Sequence, residues 1–169
     1  MAANGPLRTV YIQLGDIMLK IKDVLQSKSS AIWSIEPDDT AYNAIELMAE
    51  KGIGALIVMD GGVVVGIFSE RDYARKVILQ GKSSKDTPVK ELMTVDLYCI
   101  NSDKPVEECM ALMTKAHIRH MPVYENKRLA GIVTFGDIVN AVIVSQKVKI
   151  QDLETYIKGC EAIDFDDNL

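Results

Sequence analysis

Gly66-Ile67-Phe68-Ser69-Glu70-Arg71-Asp72 returns 65 residues later as Gly131-Ile132-Val133-Thr134-Phe135-Gly136-Asp137. In each copy an apolar run ends in a hydroxyl residue, an aspartate stands three positions on, and a helical pattern begins at once. The run reads as a strand and the whole phrase as a strand-to-helix corner. The first N–H groups of a helix have no intrahelical partner and carry the positive end of the dipole. Such a corner suits an anion, phosphate above all.

The repetition extends outward from these phrases. Residues 34–72 align with 99–137 without a gap, and the pairs Ile35/Ile100, Asp38/Asp103, Leu47/Leu112, Met48/Met113, Ile53/Ile118, Val58/Val123, Gly66/Gly131, Ile67/Ile132 and Asp72/Asp137 are identical. Each copy reads β-α-β-β-α. In the first, Ala31–Ile35 and Ala55–Met59 are strand-like. Thr40 is placed to cap a helix whose apolar stripe is Ala41, Ala44, Ile45, Met48 and Ala49, and which Gly52 ends. Asp60-Gly61-Gly62 predicts a hairpin turn into Val63–Phe68. In the second copy, Leu97–Ile100 is a strand, Pro105–Ala116 a helix with Val106, Cys109, Met110 and Met113 inward, and Glu125-Asn126-Lys127 turns a second hairpin. A unit this short cannot cover both faces of its own sheet. The expected fold is therefore α/β (α+β), two β-α-β-β-α repeats packed about a pseudo-twofold, with both corners facing a shared cleft.

The boundaries read as an N-terminal extension (1–15), a first repeat (16–80), a polar linker (81–88), a second repeat (89–145) and a C-terminal helical extension with an acidic tail (146–169). Val10, Ile12 and Leu14 alternate as in a short strand. A helix is expected from a cap at Asp16 through Ile17, Ile21, Val24 and Leu25, and Ser27–Ser30 is a turn. Val89–Met93 is a helical turn. The last helix, from Phe135 to about Gly159, carries Ile138, Val142, Ile143, Val148, Leu153, Tyr156 and Ile157, more apolar surface than one small pair covers. This suggests association with a second copy.

Bulk properties narrow the classes. The 169-residue chain is 48% hydrophobic with a net charge of −5 and a pI near 5.1, which argues against a nucleic-acid surface held by bulk charge. No apolar run approaches about 18 residues, so no membrane span is expected. Neither an export signal nor a strong transit-peptide pattern is present. Cys99, Cys109 and Cys160 form no C-x-x-C pair and fit a reducing, intracellular setting, cytoplasmic or, alternatively, mitochondrial or plastid.

Ser69/Asp72 and Thr134/Asp137 have two readings. One is a pair of capping boxes that satisfy helix-end donors. In the other, Asp72 and Asp137 accept from a ribose diol, a good partner for a carboxylate, while Ser69 and Thr134 approach the sugar or α-phosphate. The repeats differ where charge matters. Arg71 matches Gly136, and Arg119 and His120 match Gly54 and Ala55. The expected main site is lined by Thr134 and Asp137, with Arg119, His120 and Arg71 near phosphate. Arg119 and His120 also fit a solvated strand edge. Met121 is core filler that also suits the face of a base, and Trp33 is expected in the core. Gly81-Lys82-Ser83 lacks the upstream glycine of a P-loop, His117-x-x-His120 with Cys109 lacks a fourth metal ligand, and no nucleophile elbow surrounds Ser69. Neither metal binding nor catalysis is expected.

The two phrases, together with Gly54–Val58, Ser69–Tyr73, Gly81–Lys85 and Ile118–Val123, resemble tandem cystathionine-β-synthase (CBS) domains, especially the stand-alone pairs of bacteria and plants, over about residues 16–145. The resemblance implies a non-catalytic regulatory protein. It would sense an adenine nucleotide such as AMP, ATP or NAD in its inter-repeat cleft, need no cofactor, form a homodimer and act on a regulated protein partner. It also implies, as alternatives, a ligand-free dimerisation subunit or a redox-regulatory partner of thioredoxin-type proteins.

Overall fold

The computed structural model describes residues 18–28 and 31–161, with side chains to residue 158. The expected strand at 10–14, the cap at Asp16, half of the Ser27–Ser30 turn and the acidic tail beyond Glu161 lie outside these residues. The elements are α1 (Ile21–Gln26), β1 (Ser34–Ile35), α2 (Ala41–Lys51), β2 (Ala55–Asp60), β3 (Val63–Ser69), α3 (Glu70–Tyr73), β4 (Ile100–Asn101), α4 (Val106–Ala116), β5 (His120–Glu125), β6 (Arg128–Thr134) and α5 (Phe135–Glu161). A π turn at Ala74–Ile78 extends α3, and a 3-10 turn spans Val89–Glu91.

The strands form two three-stranded sheets, β1-β2-β3 and β4-β5-β6, built alike. The first strand is parallel to the second, the second antiparallel to the third, and both hairpins shift register at the same step, Val58/Met59 and Val123/Tyr124. β3 and β6 alternate burial residue for residue. Both hairpins turn on two residues with positive φ, Gly61-Gly62 at 54° and 85° and Asn126-Lys127 at 48° and 65°. This is the handedness that matches strand twist. β1 and β4 are shorter than expected, pairing over only two residues each before Glu36 and Ser102 turn the chain away. Thr40 caps α2 by accepting from Asn43 N–H, and Gly52 closes it with φ 65°. Ala49 is solvent-exposed, so the stripe of α2 is narrower than the sequence pattern suggests.

The repeats also exchange their leading segments. Ile21 and Val24 of α1 are buried in the second core beside Ile100, Val106 and Met121. Val89 and Leu92 are buried in the first core beside Ile35, Met48 and Phe68. The backbone bonds are symmetric. Ile21 N–H donates to Lys104 C=O and Val106 N–H to Leu19 C=O, while Val89 N–H donates to Asp39 C=O and Ala41 N–H to Thr87 C=O. The flanking ion pairs Lys22–Asp103 (3.0 Å) and Lys90–Asp38 (2.6 Å) follow the same pattern. The segment read as a solvated linker is thus partly docked. Thr87 is buried, and the Ser84 and Thr87 carbonyls serve the first N–H groups of α2.

Candidate functional site

Each strand-to-helix corner closes as a capping box. At the first, Ser69 N–H and Oγ donate to Asp72 Oδ2 (3.1 and 2.6 Å), and Asp72 N–H donates back to Ser69 Oγ (3.3 Å). At the second, Thr134 N–H donates to Asp137 Oδ2 (2.8 Å) and Asp137 N–H to Thr134 Oγ1 (3.1 Å). A further N–H at each helix start is taken by a carbonyl, Glu70 by Gly54 and Phe135 by Arg119. The helix ends are therefore less open to an anion than the bare pattern implies.

Each aspartate also holds a lysine. Lys76 Nζ lies 2.9 Å from Asp72 Oδ1, one turn along the same helix, and Thr94 Oγ1 donates to that oxygen at 3.4 Å. Lys28 Nζ, arriving from beyond α1, lies 2.7 Å from Asp137 Oδ2 and also donates to the Ile132 carbonyl (2.9 Å). Burial opposes charge on Asp137, but the Lys28 hydrogen bond and the Thr134 N–H outweigh it and hold the carboxyl below the usual carboxylate range.

Both corners open on the seam between the repeats. A cavity of about 310 Å³ lies against Asp137 and Thr134, walled by Leu25, Lys28, Trp33, Ile53, Gly54, Ile132 and His120. Another of about 290 Å³ lies against Asp72 and Ser69, walled by Ile67, Glu70, Arg71, Arg75, Thr94, Ile118 and Arg119. Each takes the corner of one repeat and the residues leading into the middle strand of the other. Between them runs a groove of about 980 Å³ lined by Arg71, Arg75, His117, Arg119, His120, Thr134 and Gly136. Gly54 and His120 border all three spaces.

The structure distributes the expected site residues as follows. Ser69 and Asp72 line one cleft, Thr134 and Asp137 the other. Arg71 and Arg119 line the Asp72 cleft and, together with His120 and Thr134, the central groove, but not the Asp137 cavity itself. Arg71 Nη1 donates to the His117 carbonyl at 2.8 Å, and His117 turns that carbonyl by adopting φ 53° at the C-cap of α4. His120 is held below the usual histidine range, first by burial and then by the charge of Arg71. At neutral pH it offers an uncharged imidazole rather than a cation. Met121 is a correction. It is fully buried in the second core, 3.8 Å from Cys109 Sγ, and borders none of the three spaces, because its side chain leaves the strand on the face opposite His120. Trp33 is a second correction. It is 37% exposed at the mouth of the Asp137 cavity, with Lys51 Nζ 4.5 Å from its ring. Lys28 and Arg75 went unread in the sequence. The spacing of Arg75 from Arg71, one helical turn, was a usable signal; nothing local marked Lys28.

Among the described residues no group of His, Cys, Asp and Glu is arranged to hold a metal, and no helix is long and apolar enough to cross a membrane. The Cys109 thiol is pushed up to about 11 by burial, and partial burial also raises that of the exposed Cys99.

Comparison with known proteins agrees with this architecture. The CBS domain family model matches residues 15–78 and 89–144. CBS domain-containing protein CBSX3, mitochondrial, of Arabidopsis thaliana is 40% identical over 149 residues, 82% of this chain and 72% of its own length. A putative signal-transduction protein with CBS domains from Burkholderia ambifaria superimposes with a TM-score of 0.73 at 45% identity, over 75% of this chain and 96% of that one. A CBS domain pair in complex with 5-methylthioadenosine and S-adenosyl-L-methionine superimposes with a TM-score of 0.67 at 26% identity, over 76% and 98% of the two chains. With two copies of the domain, the corner motifs of both and the matching sheets, the chain belongs to the CBS domain family as a tandem pair.

Proposed function

We propose that the chain is a non-catalytic regulatory protein that binds an adenine nucleotide, AMP, ATP or NAD, at the seam between its repeats. The observation that carries the reading is the pairing of a capped aspartate with an adjoining cavity at both corners, joined by a groove with three arginines. A ribose diol fits a carboxylate acceptor, and phosphate fits guanidinium. Trp33, Leu25 and Ile53 give the Asp137 cavity an apolar wall for a base. The related pair solved with two adenosine compounds supports the same class of ligand. A redox role through Cys99 or Cys109 is disfavoured by their raised thiols. A thiol-reducing compartment suits this usage, whether the cytoplasm or the mitochondrion named for the plant relative.

The test is isothermal titration with AMP, ATP and NAD, alongside Asp137→Ala and Asp72→Ala. Saturable binding weakened by either variant supports the reading. Absence of binding by all three leaves a ligand-free dimerisation subunit as the better account. That second reading has its own observation. Ile143, Ile150, Leu153 and Ile157 are each about half exposed and follow a heptad spacing along α5. We place the homodimer contact there, so Ile150→Glu/Leu153→Glu is expected to give a folded monomer in sedimentation velocity.

A further inference from the structure

The two clefts are not two copies of one site, because the arginines of the seam gather in one cleft and in the groove between them, and not in the other cleft. Arg71, Arg75 and Arg119 all face the central groove, and all three also line the Asp72 cleft; none lines the Asp137 cavity. Among the described residues no carboxylate lies within ion-pair distance of any of them. Their only close acidic neighbour on the groove is Glu70. Three guanidinium groups gathered with so little compensation repel one another, and a bound polyanion relieves that repulsion. In the Asp137 cavity the charges are Lys28 and Asp137, already paired to each other at 2.7 Å, and the rest of the wall is largely apolar.

The groove is lined by Thr134 and Gly136 of the second corner and by Glu70 and Arg71 of the first. Phosphates from a nucleotide seated at either aspartate therefore run into the same arginines. Resting on the nucleotide reading above, we infer that the chain holds one polyphosphate nucleotide at a time. Its adenosine sits at Asp72, its phosphates lie on Arg71, Arg75 and Arg119, and the Asp137 cavity takes a second adenosine compound bearing no negative charge. A second polyphosphate would bring like charge to an occupied cation cluster, so the two clefts exclude each other for charged ligands and not for uncharged ones.

Equilibrium dialysis of the full chain against ADP and adenosine tests this. ADP alone is expected to saturate at one per chain, adenosine alone at two, and adenosine is expected to add one per chain to the ADP-saturated protein. Arg75→Gln/Arg119→Gln is expected to weaken ADP about tenfold or more, the range for losing charge-assisted hydrogen bonds. It should weaken adenosine far less than ADP, and with the mutual repulsion of the guanidinium groups reduced the ligand-free melting temperature should not fall. Two ADP per chain with equal affinity, or equal weakening of ADP and adenosine in the double variant, overturns the shared subsite. If neither probe binds, the nucleotide reading itself falls, a result distinct from either of those.

Discussion

Replacing Ile21 by alanine isolates the exchange of leading segments between repeats. Ile21 opens the leading helix of the first repeat, yet it is fully buried among residues of the second core. The substitution removes three carbons, worth about 2.4 kcal/mol at ~0.8 kcal/mol per buried methylene. A cavity term brings the loss to about 3–4 kcal/mol, within the range for such truncations. At ~2–4 °C per kcal/mol for a chain of this size, the melting temperature should fall by about 6–16 °C. The informative measurement is where protection is lost. Native-state hydrogen exchange read by mass spectrometry should show α4, β5 and β6 opening more readily, with β2 and β3 less affected. Val89→Ala, at the symmetric position in the first core, should give the mirror result, weakening α2, β2 and β3. Loss of protection confined to β2 and β3 in Ile21→Ala, or a melting shift under about 1 °C, would contradict the exchange.

Three further outcomes follow from the same packing. A Cβ at Gly66 would sit 2.6 Å from Met93 Sδ and 3.0 Å from the Thr94 carbonyl oxygen, whereas at Gly131 it meets only Leu25 Cδ2 at 2.9 Å, the end of a flexible side chain. Gly66→Ala should therefore cost about 1–3 kcal/mol in urea denaturation and Gly131→Ala under about 1 kcal/mol; equal losses refute the backbone clash. His120 has its folded pKa depressed below 6.5, so its contribution to stability is present above the unfolded value and lost as pH falls from there through the folded one. Melting temperature should drop from about pH 7 to about pH 5, and His120→Gln should flatten that drop; an unchanged slope counts against the burial of the imidazole. Alkylation of the native protein, mapped by peptide, should label Cys99 and spare the buried Cys109 until urea is added.

The elements that were legible in the sequence are those fixed by local chemistry. Thr40 and Gly52 delimit α2, two positive-φ residues turn each hairpin, and the hydroxyl-x-x-Asp spacing fixes both corners. The 65-residue repeat then implied two like sheets, since identical patterns bury the same faces. What escaped depends on long-range placement. A two-turn apolar segment such as α1 carries no mark of which core will bury it, and only the assembled pair assigns Ile21 to the second. Trp33 looked like core because large aromatics usually are, but it lies just before the two-residue β1, and its ring lines the Asp137 cavity. Met121 was legible in principle. Once His120 is assigned to the seam, strand alternation sends its neighbour to the core. Arg71 and Arg119 meet Thr134 on the central groove but do not line the Asp137 cavity itself, because the seam is crossed. The approach to β5 faces the first corner, and the approach to β2 faces the second.

Capping and ribose binding looked like rival uses of one aspartate, and a carboxylate looked like a poor neighbour for phosphate. The geometry removes both conflicts by the same device. A carboxylate offers about four lone-pair sites. At Asp72 the cap occupies Oδ2, leaving Oδ1 with Lys76 and a long, weak contact from Thr94 that a sugar hydroxyl can replace at little cost. Lys76 neutralises the carboxylate from within its own helix; Lys28 does the same for Asp137 from an unrelated segment. Two repeats that diverged in sequence thus reach one electrostatic arrangement by different routes, an acceptor fixed by its cap and discharged by a lysine. With a lysine paired to the carboxylate at both corners, the proposed discrimination between ligands would pass to the residues where the repeats differ. Arginine at 71 and 119 against glycine at 136 and 54 is the difference that puts guanidinium groups in one cleft and not in the other, and on the proposed reading it directs anions to the first.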